Sequence, residues 1–593
     1  MKSSVKKLGG KRYHKPAIAA VALGALMSFQ AGAARADDTA TEIRLLKERL
    51  KQLENRVAEQ GRKEKETQAQ VRHAAAQLGP APGPGPYAYS YPVGFGVPSS
   101  LAERLAQTKG YSYIGSSSLY LGGMSITPGG FLELASVTRD HFIGADIATP
   151  FGNIPFANIP SSHSDEFRFS ARRSRFAVLT MGDVNPATHL SGYGEFDFLG
   201  DAQTGNSNES DSFNLRIRQL YMNVDNNEFG AHLLAGQAWS LATLNAKGIV
   251  PRTEMTPLVI DDQYLPGFVW ARQPQIRVTK DFDHTLWFAL SAENPATTFG
   301  GTPPVLPNGG TIVDSVVGGT ATFPQTGVVG GSLFNTSNAL SLNQMPDIIG
   351  KAAWDPAIGD RTIHMEVLGI FRQFNDRVIF PFGPGTVNPS GAPFLNHNNQ
   401  TIGDGVGGSI VVPIIPKELE ARFSGMTGRG IGRYGASQLA DVTFKSDGSL
   451  APIQETILLA GLVWHALPGL DFYTYAGEED EYASFGSSVT KGNPAFGYGN
   501  PAFVNVGCNI EDFGTAPPGT STAPFGIAAC TGNTKLVRQI TGGFWDDIYK
   551  GPFGKLSGGL QYSFTQKFGF AGVGGTPKRD ENIFFTSLRY YPF

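Results

Sequence analysis

The chain has 593 residues, of which 41% are hydrophobic and 17% are charged, and its mean hydropathy is −0.14. Soluble globular proteins carry about 25% charged residues. The 74 glycines have no three-residue period, which excludes collagen, and only one apolar stretch, at the N-terminus, approaches the length of a membrane-spanning helix. The composition therefore favours a β-rich protein with many turns, or a membrane β-barrel whose strands alternate apolar and polar residues.

Residues 1–36 are predicted to be a secretory signal peptide. Six bases and no acid precede the apolar run from Ala17 to Ala33, and Ala34-Arg35-Ala36 supplies the cleavage site. An uncleaved anchor helix is the alternative. Cleavage before Asp37 removes seven bases and no acid, so the formal net charge moves from −3 to −10. The acidic mature chain argues against nucleic acid as a partner.

Residues 37–78 differ from the rest of the chain. Apolar residues recur there at alternating spacings of three and four, at Ile43, Leu46, Leu50, Leu53 and Val57. This heptad stripe predicts a short coiled coil that helps to hold an oligomer together, with a single amphipathic helix packed on its own chain as the alternative. A Pro/Gly-rich linker is predicted over residues 79–98 and a barrel domain over 99–593.

The remainder reads as strands of 8–15 residues in which short and long connections alternate strictly. The candidates are Ile126–Val137, Phe167–Met181, His189–Leu199, Phe213–Val224, Phe229–Trp239, Arg272–Lys280, Leu286–Asn294, Asp347–Trp354, Thr362–Phe374, 403–413, Glu418–Gly425, Glu455–Ala466, Asp471–Gly477, Arg538–Ile548, Lys555–Phe570 and Asn582–Phe593. Short turns on one side and long loops on the other are typical of outer-membrane barrels. The predicted fold is an all-β transmembrane antiparallel barrel of about 16 strands, with 18 possible.

Alternation within the strands assigns side chains to faces. In Phe213–Val224, Leu215, Ile217 and Tyr221 share one face, opposite Arg216 and Arg218. An apolar face set against a charged face fits lipid outside and water inside. In the last strand, Leu588 and Tyr590 fit the apolar face if Pro592 shifts the phase near the terminal Phe593.

Several segments together resemble a known family. They are Ala171-Arg-Arg-Ser-Arg-Phe176, Leu215-Arg-Ile-Arg-Gln-Leu-Tyr221, Ala235-Gly-Gln-Ala-Trp-Ser240, Arg272-Gln-Pro-Gln-Ile-Arg277 and the terminal LRYYPF. With the signal peptide, heptad segment and linker, they resemble the DcaP-like trimeric porins of Gram-negative outer membranes. The resemblance implies a homotrimer that passes small anionic solutes, including dicarboxylates. Phosphate-selective porins have a similar outline and are the alternative.

The alternation of inward and outward side chains along each strand places one set of charged side chains in the predicted lumen. The bases are Arg173, Arg175, Arg216, Arg218 and Arg277, and the acids are Glu195, Asp197, Glu293 and Glu366. Arginine keeps its charge and matches carboxylate and phosphate geometry, so a ring of arginines favours anions in a pore. Opposed basic and acidic walls would set up a transverse field. Alternatively, the arginines pair with the acids and fill the lumen structurally.

The connection 240–271 occupies the place where porin loops fold inward, with an external lid as the alternative. Its candidate constriction residues are Arg252, Glu254, Asp261, Asp262 and Tyr264. An oxidising compartment permits a disulfide between Cys508 and Cys530; the alternative is that both remain free thiols.

No catalytic set, metal site or cofactor site stands out. The sequence predicts a passive, anion-preferring channel in contact with outer-membrane lipid; an outer-membrane lipase and a structural or adhesive barrel with a filled lumen are the other hypotheses.

Overall fold

In the computed structural model, the chain divides into two compact units, Met1–Ala88 and Tyr89–Phe593. The structure describes Lys51, residues 111–113, and residues 118–593 with gaps at 201–202, 207, 262–263, 307–309, 314, 318–319, 322–339, 381–395, 487–494 and 512–529. Lys51 is helical. The signal peptide 1–36, the linker 79–98 and all of the segment 37–78 except Lys51 lie outside the described residues and stay predictions.

Sixteen antiparallel strands form one closed sheet, as the sequence predicts. They are β1 Met124–Arg139, β2 Arg175–Asn185, β3 Thr188–Asp197, β4 Arg216–Asn226, β5 Ala231–Trp239, β6 Arg272–Phe282, β7 Leu286–Glu293, β8 Asp347–Trp354, β9 His364–Ile379, β10 His397–Ile415, β11 Leu419–Arg429, β12 Gln454–Leu467, β13 Leu470–Glu481, β14 Thr534–Gly551, β15 Gly554–Gly569 and β16 Lys578–Tyr591. Each strand pairs with the next, and β16 pairs with β1 from Ile583 opposite Arg139 to Tyr590 opposite Leu132. This closure leaves the barrel without open edges.

The described residues contain further short elements. The strands are Tyr111–Tyr113, Leu119–Leu121, Glu166–Ser170, Thr311–Val313, Ser315–Val317, Thr320–Ala321, Leu340–Ser341, Ala357–Ile358, Arg361–Thr362, Val442–Phe444 and Leu450–Pro452, and the 3-10 helices are Phe151–Asn153, Pro160–His163, Gly432–Tyr434 and Val506–Asn509. Among the described residues, no helix has the length and apolar character needed to cross a membrane.

Short turns and long loops lie at opposite rims of the barrel. The turns between β2 and β3, β12 and β13, and β14 and β15 each contain two residues. The long loops used below are L1 (140–174), L3 (240–271), L6 (430–453) and L7 (482–533). In outer-membrane barrels the short turns are periplasmic and the long loops extracellular.

One predicted strand is interrupted. Phe167–Met181 was expected to be continuous, but Glu166–Ser170 and β2 both pair with β1 and are separated by a turn at 171–174. The turn is closed by a hydrogen bond from the Ser174 amide to the Ala171 carbonyl at 3.0 Å. It lets the guanidinium of Arg172 reach Asp146 of L1 at 2.9 Å, a contact that a regular strand would not allow.

The outer face of the barrel carries an apolar belt. Outward side chains include Leu190, Ile276, Leu290, Val367, Ile540 and Leu588, all exposed in the isolated chain, whereas their neighbours in sequence are buried or partly buried. In the last strand, Leu588 and Tyr590 face outward and Ser587 and Arg589 inward. A closed sheet with an outward apolar belt is the architecture of membrane-spanning β-barrels.

The predicted face of Tyr221 is wrong. Leu215 and Ile217 face outward as expected, but the register shifts beside Ile217, so that Arg218 and Gln219 are both buried. From there on the phase is reversed, with Leu220 and Met222 outward and Tyr221 inward. A β-bulge inserts one extra residue and moves every following side chain to the other face.

Candidate pore

L3 lies inside the barrel. Its residues Val259, Ile260, Leu265 and Phe268 pack with inward side chains of β12, β13, β14 and β16, on the far side from its own strands β5 and β6. The amide of Leu258 donates to the Tyr475 hydroxyl at 3.3 Å, and the Trp545 indole donates to the Leu258 carbonyl at 2.7 Å. The loop therefore crosses the lumen and narrows the space available to a solute.

The first half of L3 is fixed to the near wall by buried carboxylates. Glu293 accepts the amide of Leu241 at 2.8 Å, and Glu366 accepts the amide of Asn245 at 3.1 Å. The ammonium of Lys351 donates to the Thr243 carbonyl at 2.7 Å and forms an ion pair with Glu366 at 3.0 Å. Glu293 and Glu366 thus anchor the loop and are themselves covered by it, as is Arg277, which donates to the Trp239 carbonyl at 2.6 Å.

A cluster of opposite charges joins β3 to β4. The Arg218 guanidinium forms ion pairs with Glu195 at 2.6 Å and with Asp197 at 3.0 Å. The Arg216 guanidinium donates two hydrogen bonds to the Asp197 carboxylate, at 2.9 and 2.7 Å. Arg175 of β2 approaches the same Oε1 atom of Glu195 at 3.8 Å. Three of the predicted lumen arginines and two of the acids therefore share one wall, rather than standing on opposed walls.

A second group of arginines continues along the same wall. Arg173 and Arg589 both approach Glu133 of β1, at 3.8 and 3.1 Å. The guanidinium groups of Arg175 and Arg589 lie on the Phe131 ring, 5.2 and 4.7 Å from its centre. Arg589 and Glu133 were missed by the sequence analysis, although the shifted phase of the last strand already placed Arg589 on the inward face.

L3 contributes one more arginine to this wall. The Arg252 guanidinium donates to the Tyr221 hydroxyl at 3.2 Å and lies 5.7 Å from the centre of the Tyr193 ring. Its backbone has φ +68°, in the left-handed region that costs a non-glycine residue about 1–2 kcal/mol. Burial raises the pKa of nearby Glu254, opposed by Arg277 and Arg252.

The other candidates from L3 are placed differently. Asp261 is buried at the junction with L1, where its carboxylate accepts the Thr149 amide at 2.9 Å. Burial raises its pKa to about 7, against the lowering effects of that hydrogen bond and of Arg139. Tyr264 packs on Trp270 with ring centres 5.1 Å apart. Asp262 lies outside the described residues.

Cys508 and Cys530 form a disulfide within L7.

Metal-ligand side chains converge at the loop rim, where the donor atoms of Asp140, His141 and Glu581 lie within 4.8 Å of one another. His141 Nδ1 hydrogen bonds to Asp140 and Glu581 at 3.0 and 2.9 Å, and these bonds raise its pKa to about 9. The protonated imidazole lies between the two carboxylates and offsets one of their two negative charges.

No protein-family pattern and no curated protein matches the chain. Solved structures do: the outer-membrane channel DcaP of Acinetobacter baumannii is 14% identical, with a TM-score of 0.49 over 79% of this chain and 98% of that one. An anion-selective porin of Comamonas acidovorans (10% identity, TM-score 0.36, 79% and 99% covered) and the trimer form of OmpT, an outer-membrane protein of Vibrio cholerae (9%, 0.38, 79% and 99%), are also similar. DcaP, whose family the sequence motifs resemble, is thus also among the similar solved structures.

Proposed function

We propose that the protein is a passive outer-membrane porin that prefers small anions. The observation that carries the proposal is the row of arginines along one wall of the lumen, from Arg589 through Arg175 to Arg218, with Arg252 facing it from L3. Arg175, Arg252 and Arg589 keep part of their side chains accessible, whereas Arg173 and Arg218 are buried. Anions passing L3 would therefore meet accessible positive charge along this wall.

The test is ion selectivity in planar bilayers under a KCl gradient. The wild type should give a reversal potential of anion-preferring sign. One charge at 4 Å in water contributes about 1 kcal/mol, so Arg252→Gln should lower the anion-to-cation permeability ratio by about fivefold, and adding Arg175→Gln should lower it further.

The matched control is Arg429→Gln. Arg429 pairs with Asp404 at 2.8 Å and is 61% exposed, away from L3, so its removal should leave the reversal potential unchanged. Cation preference in the wild type, or an equal shift in the control, would contradict the proposal.

A barrel with a filled lumen is the second candidate, because L3 buries apolar clusters against both sides of the lumen. It predicts no conductance for the wild type in the same bilayers.

We further propose a homotrimer, with signal peptide 1–36 removed and segment 37–78 forming a coiled coil, as the sequence resemblance implies. Cross-linking of the purified protein should give a three-subunit ladder.

The solute class within small anions is the remaining part of the proposal. Planar guanidinium groups bind carboxylates and phosphates with the same two-pronged geometry. The row of arginines by itself therefore does not distinguish a carboxylate solute from a phosphate solute. We propose dicarboxylates, following the family resemblance. Liposome swelling should then be faster in succinate than in phosphate, and the reverse order would favour a phosphate-type porin.

A further inference from the structure

Two glutamates at the loop rim are buried without a counter-charge. Glu455 of β12 and Glu481 of β13 are opposite one another in register, so their side chains leave the same face of the sheet. Both residues are 0% exposed. Neither carboxylate oxygen of Glu455 has a hydrogen-bond partner, whereas Glu481 is approached by the Tyr498 hydroxyl and the Ala440 amide. Among the described residues, neither forms an ion pair with Lys, Arg or His.

The charged groups that act on this pair are themselves acidic. Glu479, Asp441 and Asp480 all add negative potential at Glu455. Like charges that face each other across two strands are destabilising, and an ionised carboxylate buried without a partner costs several kcal/mol. The pair therefore needs either a shared proton or a bound cation.

Loop segments enclose the pair. An apolar cluster of Ala440, Ile453, Tyr498 and Phe570 joins L6 and L7 beside it. The Ala440 amide and the Tyr498 hydroxyl lie within hydrogen-bonding reach of Glu481. The single proton of the Tyr498 hydroxyl is shared with the Thr534 carbonyl, to which it donates at 2.5 Å.

Glu479, the third acid on this face, shows how such a side chain is normally satisfied. Its carboxylate accepts the Gly267 amide of L3 at 2.8 Å and the Ser437 amide of L6 at 3.0 Å. The Asp140–His141–Glu581 cluster is satisfied by its own imidazole. Glu455 has neither arrangement, and Glu481 has no cationic partner among the described residues, although L6 and L7 cover both.

We propose that Glu455 and Glu481 bind one calcium ion, which ties L6 and L7 to the barrel wall. All available donors are oxygens, which hard divalent cations prefer, and two carboxylates balance the charge of one such ion. Calcium accepts irregular oxygen sites with few waters, whereas magnesium demands a near-ideal octahedron and retains its water. An enclosed pair of glutamates suits the former.

The experiment uses the full-length folded protein after treatment with a chelator. Terbium, a calcium probe whose emission is sensitised by nearby tyrosine, should bind with one site near Tyr498 and be displaced by calcium. Restoring calcium should also raise the temperature at which the folded band is lost on a gel. Glu455→Gln should weaken terbium binding by more than the roughly tenfold that even outer-shell changes cost.

Two controls locate the site. Glu478→Gln changes an outward carboxylate on the same strand, and Glu581→Gln changes the other acidic cluster; both should keep the terbium signal. If Glu455→Gln does not fold, Glu481→Asp keeps the charge and should retain weakened binding. The proposal is overturned if wild-type protein shows no calcium effect and Glu455→Gln simply raises its unfolding temperature, as for a shared proton, or if Glu581→Gln alone loses the probe.

Discussion

Asp261 links the two loops that fold over and into the lumen. Its carboxylate is 1% exposed and holds the Thr149 amide of L1, while Arg139 and Arg173 face it more distantly and Glu166 and Glu581 surround Arg139. Because burial raises its pKa to about 7, the folded state favours the protonated acid. Folding is therefore more favourable when this group is neutral, although the hydrogen bond from Thr149 by itself favours the carboxylate form.

The sign of the resulting pH dependence follows from linkage. The folded pKa of Asp261 lies above the ordinary aspartate value of 3.8, so its contribution to stability is full below about pH 4 and is lost as the pH rises through 7. The loss is on the order of 4 kcal/mol. Asp261→Asn keeps an acceptor for Thr149 and should flatten the change in unfolding temperature between pH 5 and pH 8.

Asp360→Asn is the control for this prediction, because Asp360 lies in a short turn and is 69% exposed. It should leave the wild-type pH dependence intact. A wild-type unfolding temperature that is the same at pH 5 and pH 8 would show that Asp261 is not held in its neutral form.

At the scale of one element, L3 depends on glycine where it meets the far wall. Gly267 has φ +87°, donates its amide to Glu479 at 2.8 Å, and lies so close to the Leu458 carbonyl that a Cβ atom would overlap it. Gly267→Ala should push L3 away from β12 and β13 and widen the channel. We expect larger and more variable single-channel conductance than in the wild type.

Gly359→Ala separates displacement of L3 from backbone strain alone. Gly359 has φ +64° in the turn between β8 and β9, and nothing lies within 4 Å of an added Cβ atom. It should lower stability by about 1–2 kcal/mol through backbone strain and leave conductance unchanged. Equal conductance changes in the two variants would mean that Gly267 does not fix the width of the pore.

At the scale of the whole molecule, the belt of outward apolar side chains sets the depth of the barrel in lipid. Leu290 lies near the middle of β7, and Leu215 directly precedes β4 on the loop side. They are 58% and 55% exposed in the isolated chain. Leu290→Arg should cost about 2–4 kcal/mol and Leu215→Arg about 0–1 kcal/mol. Equilibrium unfolding in lipid vesicles measures both, and equal costs would contradict this placement of the belt.

The same belt explains which features the sequence could predict. Strand number, closure and the faces of most strands follow from alternation and from connection length, which are local patterns. The bulge beside Ile217 and the break at 171–174 depend on contacts between distant residues, such as that of Arg172 with Asp146. The alternation of side chains along the strands places Arg218 and Glu195 on the same face, so their pairing could be predicted. The hydrogen bonds that hold L3 to Glu293 and Glu366 could not, because the sequence does not indicate where the backbone amides of a loop will point.

The pairing of β16 with β1 has a consequence for how the protein is made. Until Lys578–Tyr591 has been exported and has found Leu132–Arg139, the growing sheet carries two unpaired edges and its lipid-facing belt is exposed to water. L3 must also reach the inside before that seam shuts, since it is held by strands from both halves of the chain. During assembly, closure of the barrel therefore competes with aggregation of the unclosed sheet. The contacts between residues of greatest sequence separation form most slowly.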